Sequence, residues 1–198
     1  MIAKDVTGPM GIVFDSGEPG GLHDMQKLSS VFFALLLGAC ATTDTSMPAT
    51  PNVDGHIAGI TLAANEGEIQ QGNAASSRAT NGDVRSFAQM MVTDHTNALN
   101  AARDTAARAG ITPMENDTTA ALRSTSPQVI TNLGTYTGVA YDRQYMDYQI
   151  ALHQWLLTGL DTQLIPLAHN GELKTLLQTQ RASVAAHLEQ ARSIRGRL

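Results

Sequence analysis

The stretch Val84-Arg-Ser-Phe-Ala-Gln-Met-Met-Val-Thr-Asp-His95 decides the fold, because its apolar side chains recur every three or four positions. This spacing predicts an amphipathic helix with one buried face. The turn signal Asn81-Gly82 stands before it, Asp83 is suited to cap its start, and Gly110 is suited to end it. The helix is therefore predicted to reach Ala109, with a buried stripe of Val84, Phe87/Ala88, Met91, His95, Ala98/Leu99, Ala102 and Ala106.

Three further stretches show the same helical period. They cover about Gly55–Thr80, Gly138–Ile165 and Gly171–Ile194, and Pro166 and Asn170-Gly171 break the chain between the last two. A crossover of nearly thirty residues follows Gly110, which is long for a loop without structure, so it is predicted to hold short helices, one of them opening at Ser126-Pro127. Two helical hairpins joined by a long crossover predict an all-α, ferritin-like four-helix bundle in residues 54–198.

Four polar residues stand on the apolar stripes of the four helices: Glu68, His95, His153 and His187. At a rise of 1.5 Å per residue, each lies roughly 18–24 Å from the turn that joins its hairpin, so all four are expected near the middle of the bundle. Imidazole and carboxylate groups there would suit one transition metal ion, which could be zinc, copper or iron. A buried hydrogen-bonded polar layer and coincidence are the alternatives. Asp94 and Tyr145 are weaker candidates for a place beside the site.

Other classes of site find no support. The chain has no Gly-x-Ser-x-Gly, no phosphate-binding glycine loop and no dinucleotide fingerprint, so no catalytic residue is predicted and an enzyme is disfavoured. Its formal net charge of −5 and few aromatic residues disfavour nucleic acid as a partner.

The N-terminal part predicts export. Residues 28–39 form an apolar run that is shorter than the about 20 residues of a membrane-spanning helix, and Lys27 precedes it. The run ends in Leu37-Gly38-Ala39-Cys40, which holds the single cysteine and resembles the bacterial lipobox. This resemblance implies a lipid on Cys40 that anchors the protein to a membrane; Ala41 favours the outer membrane. Residues 41–53 are predicted to be a disordered tether, and residues 1–24 to be untranslated, with Met25 as the true start.

Four segments resemble the bacterial envelope family known as domain of unknown function 4142, often called outer-membrane proteins. They are Ala64-Asn-Glu-Gly-Glu-Ile-Gln-Gln-Gly72, the opening stretch 84–95, Tyr141-Asp-Arg-Gln-Tyr-Met-Asp-Tyr-Gln-Ile-Ala-Leu-His153 and His187-Leu-Glu-Gln-Ala191. The resemblance covers about residues 54–195 and implies a ferritin-like helical fold exposed to the periplasm, without an established activity. The Glu-x-x-His motif of di-iron proteins is missing, since Val92, Ile150 and Val184 precede the histidines by three residues. Ferroxidase chemistry is therefore disfavoured.

The sequence thus predicts a lipid-anchored, periplasm-facing bundle that serves as a binding or envelope-stress module with a metal site at mid-height. A metal-dependent periplasmic redox protein and a scaffold for protein–protein interaction are the alternatives. The protein partner is left open.

Overall fold

The computed structural model describes residues 52–198. The predicted export leader, the lipobox with Cys40 and nearly all of the predicted tether lie outside the described residues. The first helix begins at Val53, the last residue of that tether.

The described part of the chain is helical, as predicted. Its five helices are α1 (Val53–Arg78), α2 (Gly82–Arg108), α3 (Asp117–Leu133), α4 (Gly138–Gly159) and α5 (Gly171–Arg195). Helices α1 and α2 pack as one hairpin, α4 and α5 as another, and α2 lies against α5. Together they form the predicted four-helix bundle, with α3 in the crossover. Within residues 52–198 no helix combines the length and the apolar character needed to cross a membrane.

Asparagine side chains cap four of these helices. Asn81 Oδ1 accepts hydrogen bonds from the backbone N–H groups of Asp83 and Val84, so Asn81, and not the predicted Asp83, is the N-cap of α2. Asn52, Asn116 and Asn170 cap α1, α3 and α5 in the same manner. Such a cap satisfies donors that the first turn of a helix leaves unpaired.

The crossover differs from the prediction. It holds one helix of 17 residues, α3, whose N-cap Asn116 lies ten residues before the predicted N-cap Ser126. The reason is a capping box at its start, in which Asn116 and Thr119 satisfy each other's backbone N–H groups. Pro127 therefore lies inside the helix, and the Ser126 hydroxyl donates to the carbonyl of Gly67 on α1.

The helical segment that starts with α4 ends two residues after the predicted end at about Ile165. A π-helical turn, Leu160–Leu164, follows α4, and a last α-turn, Ile165–Leu167, contains Pro166. Pro166 has no backbone N–H to donate to the preceding turn, and the wider π-turn directly precedes it. The chain breaks only at Ala168, which has an extended backbone conformation.

The apolar core has two parts with a polar layer between them. One cluster surrounds Phe87, Tyr145 and Met146 at the end of the bundle where α1 turns into α2. The second surrounds Ile57, Leu164 and Leu177 at the other end. All four predicted polar residues lie buried between them, with exposed fractions of 0–6%. A layer of this kind costs stability unless its polar groups are paired, and the pairing therefore decides what the layer is for.

The carboxylate of Asp142 joins the two hairpins by hydrogen bonds. It lies near the start of α4, is 1% exposed, and accepts hydrogen bonds from the backbone N–H groups of Thr80 and Asn81, at 3.0 and 2.8 Å. The Thr80 hydroxyl also donates to it. Asp142 thereby fixes the turn between α1 and α2 against α4, and with it the relative height of helices that carry the polar layer.

Candidate metal centre

Three histidines from three helices meet in the polar layer. The ring centres of His95 on α2, His153 on α4 and His187 on α5 lie 5.4–6.2 Å apart. Their exposed fractions are 6%, 0% and 5%. One ring nitrogen of each can be chosen so that the three atoms lie within 4.8 Å of one another. The convergence predicted from helix heights is therefore confirmed for the histidines.

Each ring is oriented by a hydrogen bond from one of its nitrogens. His95 Nδ1 lies 2.8 Å from Asn65 Oδ1, His153 Nδ1 lies 2.9 Å from the backbone oxygen of Gln149, and His187 Nε2 lies 3.0 Å from Asp94 Oδ2. The Asn65 amide nitrogen donates to the carbonyl of Thr61, so its Oδ1 is free to accept. All three partners are acceptors, and each histidine must therefore donate a proton to its partner.

The second nitrogen of each ring is buried and has no hydrogen-bond partner: His95 Nε2, His153 Nε2 and His187 Nδ1. Because the first nitrogen carries the proton, each of these carries a lone pair in the neutral ring. Histidines that bind metal ions almost always donate their other N–H to a carbonyl or carboxylate. Three lone pairs held in this manner form a set of ligands for one transition metal ion.

Burial keeps the rings of His95 and His153 uncharged. Burial is the main cause that lowers the pKa of His153 to about 3, and the neighbouring His187 is the second. Burial, followed by the charges of His153 and His187, holds the pKa of His95 well below its ordinary value. At neutral pH both histidines therefore offer lone pairs without prior loss of a proton, which metal binding to histidine requires.

Glu68 on α1 lies next to this cluster but differs from it. Its Oε2 accepts a hydrogen bond from Gln149 Nε2 at 3.2 Å, while Oε1 lies 3.9 Å from His153 Nδ1 and has no hydrogen-bond partner. The set of mutually close ligand atoms found among the described residues consists of the histidines alone. Burial raises the pKa of Glu68 to about 7, so Glu68 and His153 are not a buried ion pair. A role for Glu68 as a fourth ligand stays a prediction.

The two weaker candidates, Asp94 and Tyr145, lie in different surroundings. Asp94 accepts the hydrogen bond of His187 although its own side chain is 43% exposed, so it orients a ring of the cluster. Tyr145 is fully buried in the apolar cluster at one end of the bundle, where its ring packs against Phe87 and Tyr141. Its hydroxyl has no hydrogen-bond partner, and a place for Tyr145 beside the histidines stays a prediction.

Sequence reasoning missed two residues of the layer. Asn65 fixes the ring of His95, and Gln149 supplies both the carbonyl for His153 and the amide for Glu68. Both positions carried a signal, because Asn65 precedes Glu68 by three residues and Gln149 precedes His153 by four, which are spacings that share one helix face.

The sequence profile described as Domain of unknown function (DUF4142) matches residues 39–194. The chain belongs to this family. The match spans all four helices that form the polar layer of this DUF4142 chain. No curated protein matches the sequence.

A solved structure shares the fold of this DUF4142 protein. It is the crystal structure of a DUF305 fragment from Deinococcus radiodurans, which is 19% identical in sequence and superimposes with a TM-score of 0.63. The alignment covers 77% of this chain and 100% of that fragment. At this level of identity the likeness establishes a common helical-bundle fold and carries no argument about activity.

Proposed function

We propose that this DUF4142 protein binds one transition metal ion in the middle of its bundle. The ligands are His95 Nε2, His153 Nε2 and His187 Nδ1. Two observations of the same three rings carry the proposal: one nitrogen of each lies within 4.8 Å of the others, and each ring keeps one buried nitrogen without a hydrogen-bond partner. Buried polar atoms without partners are rare in folded proteins.

A purely structural polar layer explains the arrangement less well. Such a layer is stabilising only when its members satisfy one another. Here the partners Asn65, Asp94 and the carbonyl of Gln149 satisfy one nitrogen of each ring and leave the second nitrogen unpaired. An ion held by the second nitrogens would pair all three at once.

The ligand set favours particular metals. Neutral imidazoles suit zinc, copper and iron, whereas magnesium and calcium prefer oxygen ligands. Helices of di-iron bundles carry Glu-x-x-His, and Val92, Ile150 and Val184 occupy the glutamate positions here. A single ion is therefore the occupant that these residues support.

Titration of the metal-free protein with Zn²⁺ tests the proposal. We expect one ion per chain and a higher Tm, because a ligand that binds only the native state stabilises by about 2.7 kcal/mol at 100 times its Kd. Mg²⁺ at the same concentration serves as the control and is expected to leave Tm unchanged. If Zn²⁺, Cu²⁺ and Fe²⁺ all fail to bind, the proposal is wrong.

We also propose that this module is lipid-anchored through Cys40 and faces the periplasm, preferentially at the outer membrane. The support is the apolar run that ends in Leu37-Gly38-Ala39-Cys40 and the polar residues 41–53 after it. In a diderm bacterium the protein is expected to incorporate labelled palmitate and to lose the label in a Cys40→Ser variant. Equal labelling of the variant would contradict the lipid anchor.

A further inference from the structure

A cavity of about 70 Å³ lies beside the histidines. It is lined by residues of α1, α2 and α5 and of the segment that ends α4. His95 and His187 belong to its wall, and most of the remaining wall is apolar, formed among others by Ile60, Leu160, Leu164 and Val184. The cavity thus places apolar space next to two of the three ligands proposed above.

The unpartnered nitrogens connect the cavity to the ion. His95 and His187, which carry the unpartnered atoms Nε2 and Nδ1, both belong to the cavity wall, so two of the three proposed ligands come from residues that line the cavity. Three protein ligands leave a fourth position of a tetrahedral ion open, which is the arrangement of reactive metal sites. The cavity supplies room for a ligand at that position.

The volume indicates how much of a ligand fits between the walls of this cavity, which is partly open to solvent. An apolar cavity of about 150 Å³ accepts benzene, which has six heavy atoms. A cavity of about 70 Å³ therefore has room for a molecule of two to four heavy atoms.

The wall also limits the charge of the ligand. The acidic side chain of Asp94 also lines the cavity and accepts the hydrogen bond of His187, so an anion would lie close to another acidic group there. A cation would compete poorly with the ion itself, and the leucine side chains cannot solvate either charge. From this geometry, and resting on the metal site proposed above, we infer that the cavity takes a small uncharged molecule of two to four heavy atoms as the fourth ligand of the ion.

The backbone beside the cavity is built in an uncommon way. Leu160 and Leu164, which both line it, are the first and last residues of the π-helical turn after α4. Such turns are rare in proteins as a whole. Those that do occur are often found at functional sites, because the extra residue changes the direction of neighbouring side chains. The π-turn thus supplies two of the apolar wall residues.

Carbon monoxide binding to the Cu⁺-loaded protein, prepared without oxygen, tests the inference. Carbon monoxide is uncharged, has two heavy atoms and reports its own coordination by its infrared stretch. We expect one molecule per copper. An Ala98→Leu variant is expected to lower the carbon monoxide affinity at least about tenfold while it keeps one Cu⁺ per chain, because Ala98 lines the cavity and leucine fills it. Ala101→Leu is the matched control, since Ala101 is exposed on the same helix. Its affinities for Cu⁺ and for carbon monoxide should equal those of the unchanged protein.

The possible outcomes separate this inference from the metal site. If Cu⁺ binds but carbon monoxide does not, or binds Ala98→Leu equally well, the cavity inference is wrong and the metal site stands. If azide, an anion of three heavy atoms, binds the same protein while carbon monoxide does not, the ligand class is wrong. If the unchanged protein does not bind Cu⁺, both proposals fall.

Discussion

Replacing His153 with leucine is expected to lower the Zn²⁺ affinity of the protein by at least about 100-fold. The loss of a partner that only orients a metal ligand already costs about 10–100-fold, and His153 is proposed as a ligand itself. The remaining nitrogens, His95 Nε2 and His187 Nδ1, would leave the ion two positions short of a tetrahedral set. His169→Leu is the matched control, because His169 is exposed in the loop before α5. Calorimetric titration of both variants measures the difference, and similar affinities would remove His153 from the site.

The same variant is expected to change how the metal-free protein responds to acid. Burial lowers the pKa of His153 to about 3, whereas an unfolded histidine titrates near 6.5. Between these values the unfolded chain binds a proton that the native state does not, so the free energy of unfolding falls as the pH falls. The contribution of His153 to the free energy of unfolding is fully present above pH 6.5 and decreases by about 1.4 kcal/mol per pH unit below it.

Glu68 acts in the opposite direction. Its pKa is raised to about 7, so its contribution is fully present below about 4.5 and is lost as the pH rises towards 7. Because Glu68 is present in both proteins, the comparison with His153→Leu removes most of the contribution of Glu68.

Urea unfolding at pH 7.5 and 5.0 in the presence of a chelator measures this contribution. Between these pH values the free energy of unfolding should fall by about 2 kcal/mol more in the unchanged protein than in His153→Leu. This figure follows because pH 5.0 lies about 1.5 units below 6.5, at about 1.4 kcal/mol per unit. Equal losses would mean that His153 is already protonated in the native state at pH 5, and that its ring is not a preformed metal ligand.

The helical period and the rise per residue were sufficient to predict the bundle and the meeting of the histidines. His95 stands on the same stripe as Val84 and Met91, and the hairpin turn at Asn81-Gly82 fixes its height against Glu68. These are local quantities, and the structure confirms the fold and the cluster of histidines that they predict.

The details of the site could not be predicted, because they depend on contacts between helices. Which nitrogen of His95 keeps its lone pair is decided by Asn65, which is 30 residues away and is itself fixed by the carbonyl of Thr61. The start of α3 at Asn116 depends on a reciprocal pair of hydrogen bonds, and Ser126-Pro127 offered an equally valid local signal. Helix periodicity contains no information about either choice.

The crossover before α3 packs with its backbone directly on the start of α1, at the end of the bundle that holds the apolar cluster around Ile57. The N–H of Met114 donates to the carbonyl of Gly55 at 2.9 Å. A Cβ atom on Gly55 would lie 2.8 Å from the backbone oxygen of Thr112, and one on Gly59 would lie 2.1 Å from that of Met114. Two glycines one turn apart on α1 therefore permit a close approach that no other residue allows, and backbone atoms cannot move aside as a flexible side chain does.

Gly59→Ala is therefore expected to destabilise the protein by about 3 kcal/mol or more, at the upper end of what overpacking a core costs. Helix propensity alone predicts the opposite sign, a gain of up to about 1 kcal/mol, because glycine is unfavourable inside a helix. Gly82→Ala is the matched control, since Gly82 begins α2 with no atom within 4 Å of the added Cβ. Urea unfolding of both variants decides between the two causes. A stabilised Gly59→Ala protein would show that the crossover does not lie on α1 in solution. A destabilised protein would show that this contact, and not helix propensity, selects glycine at position 59.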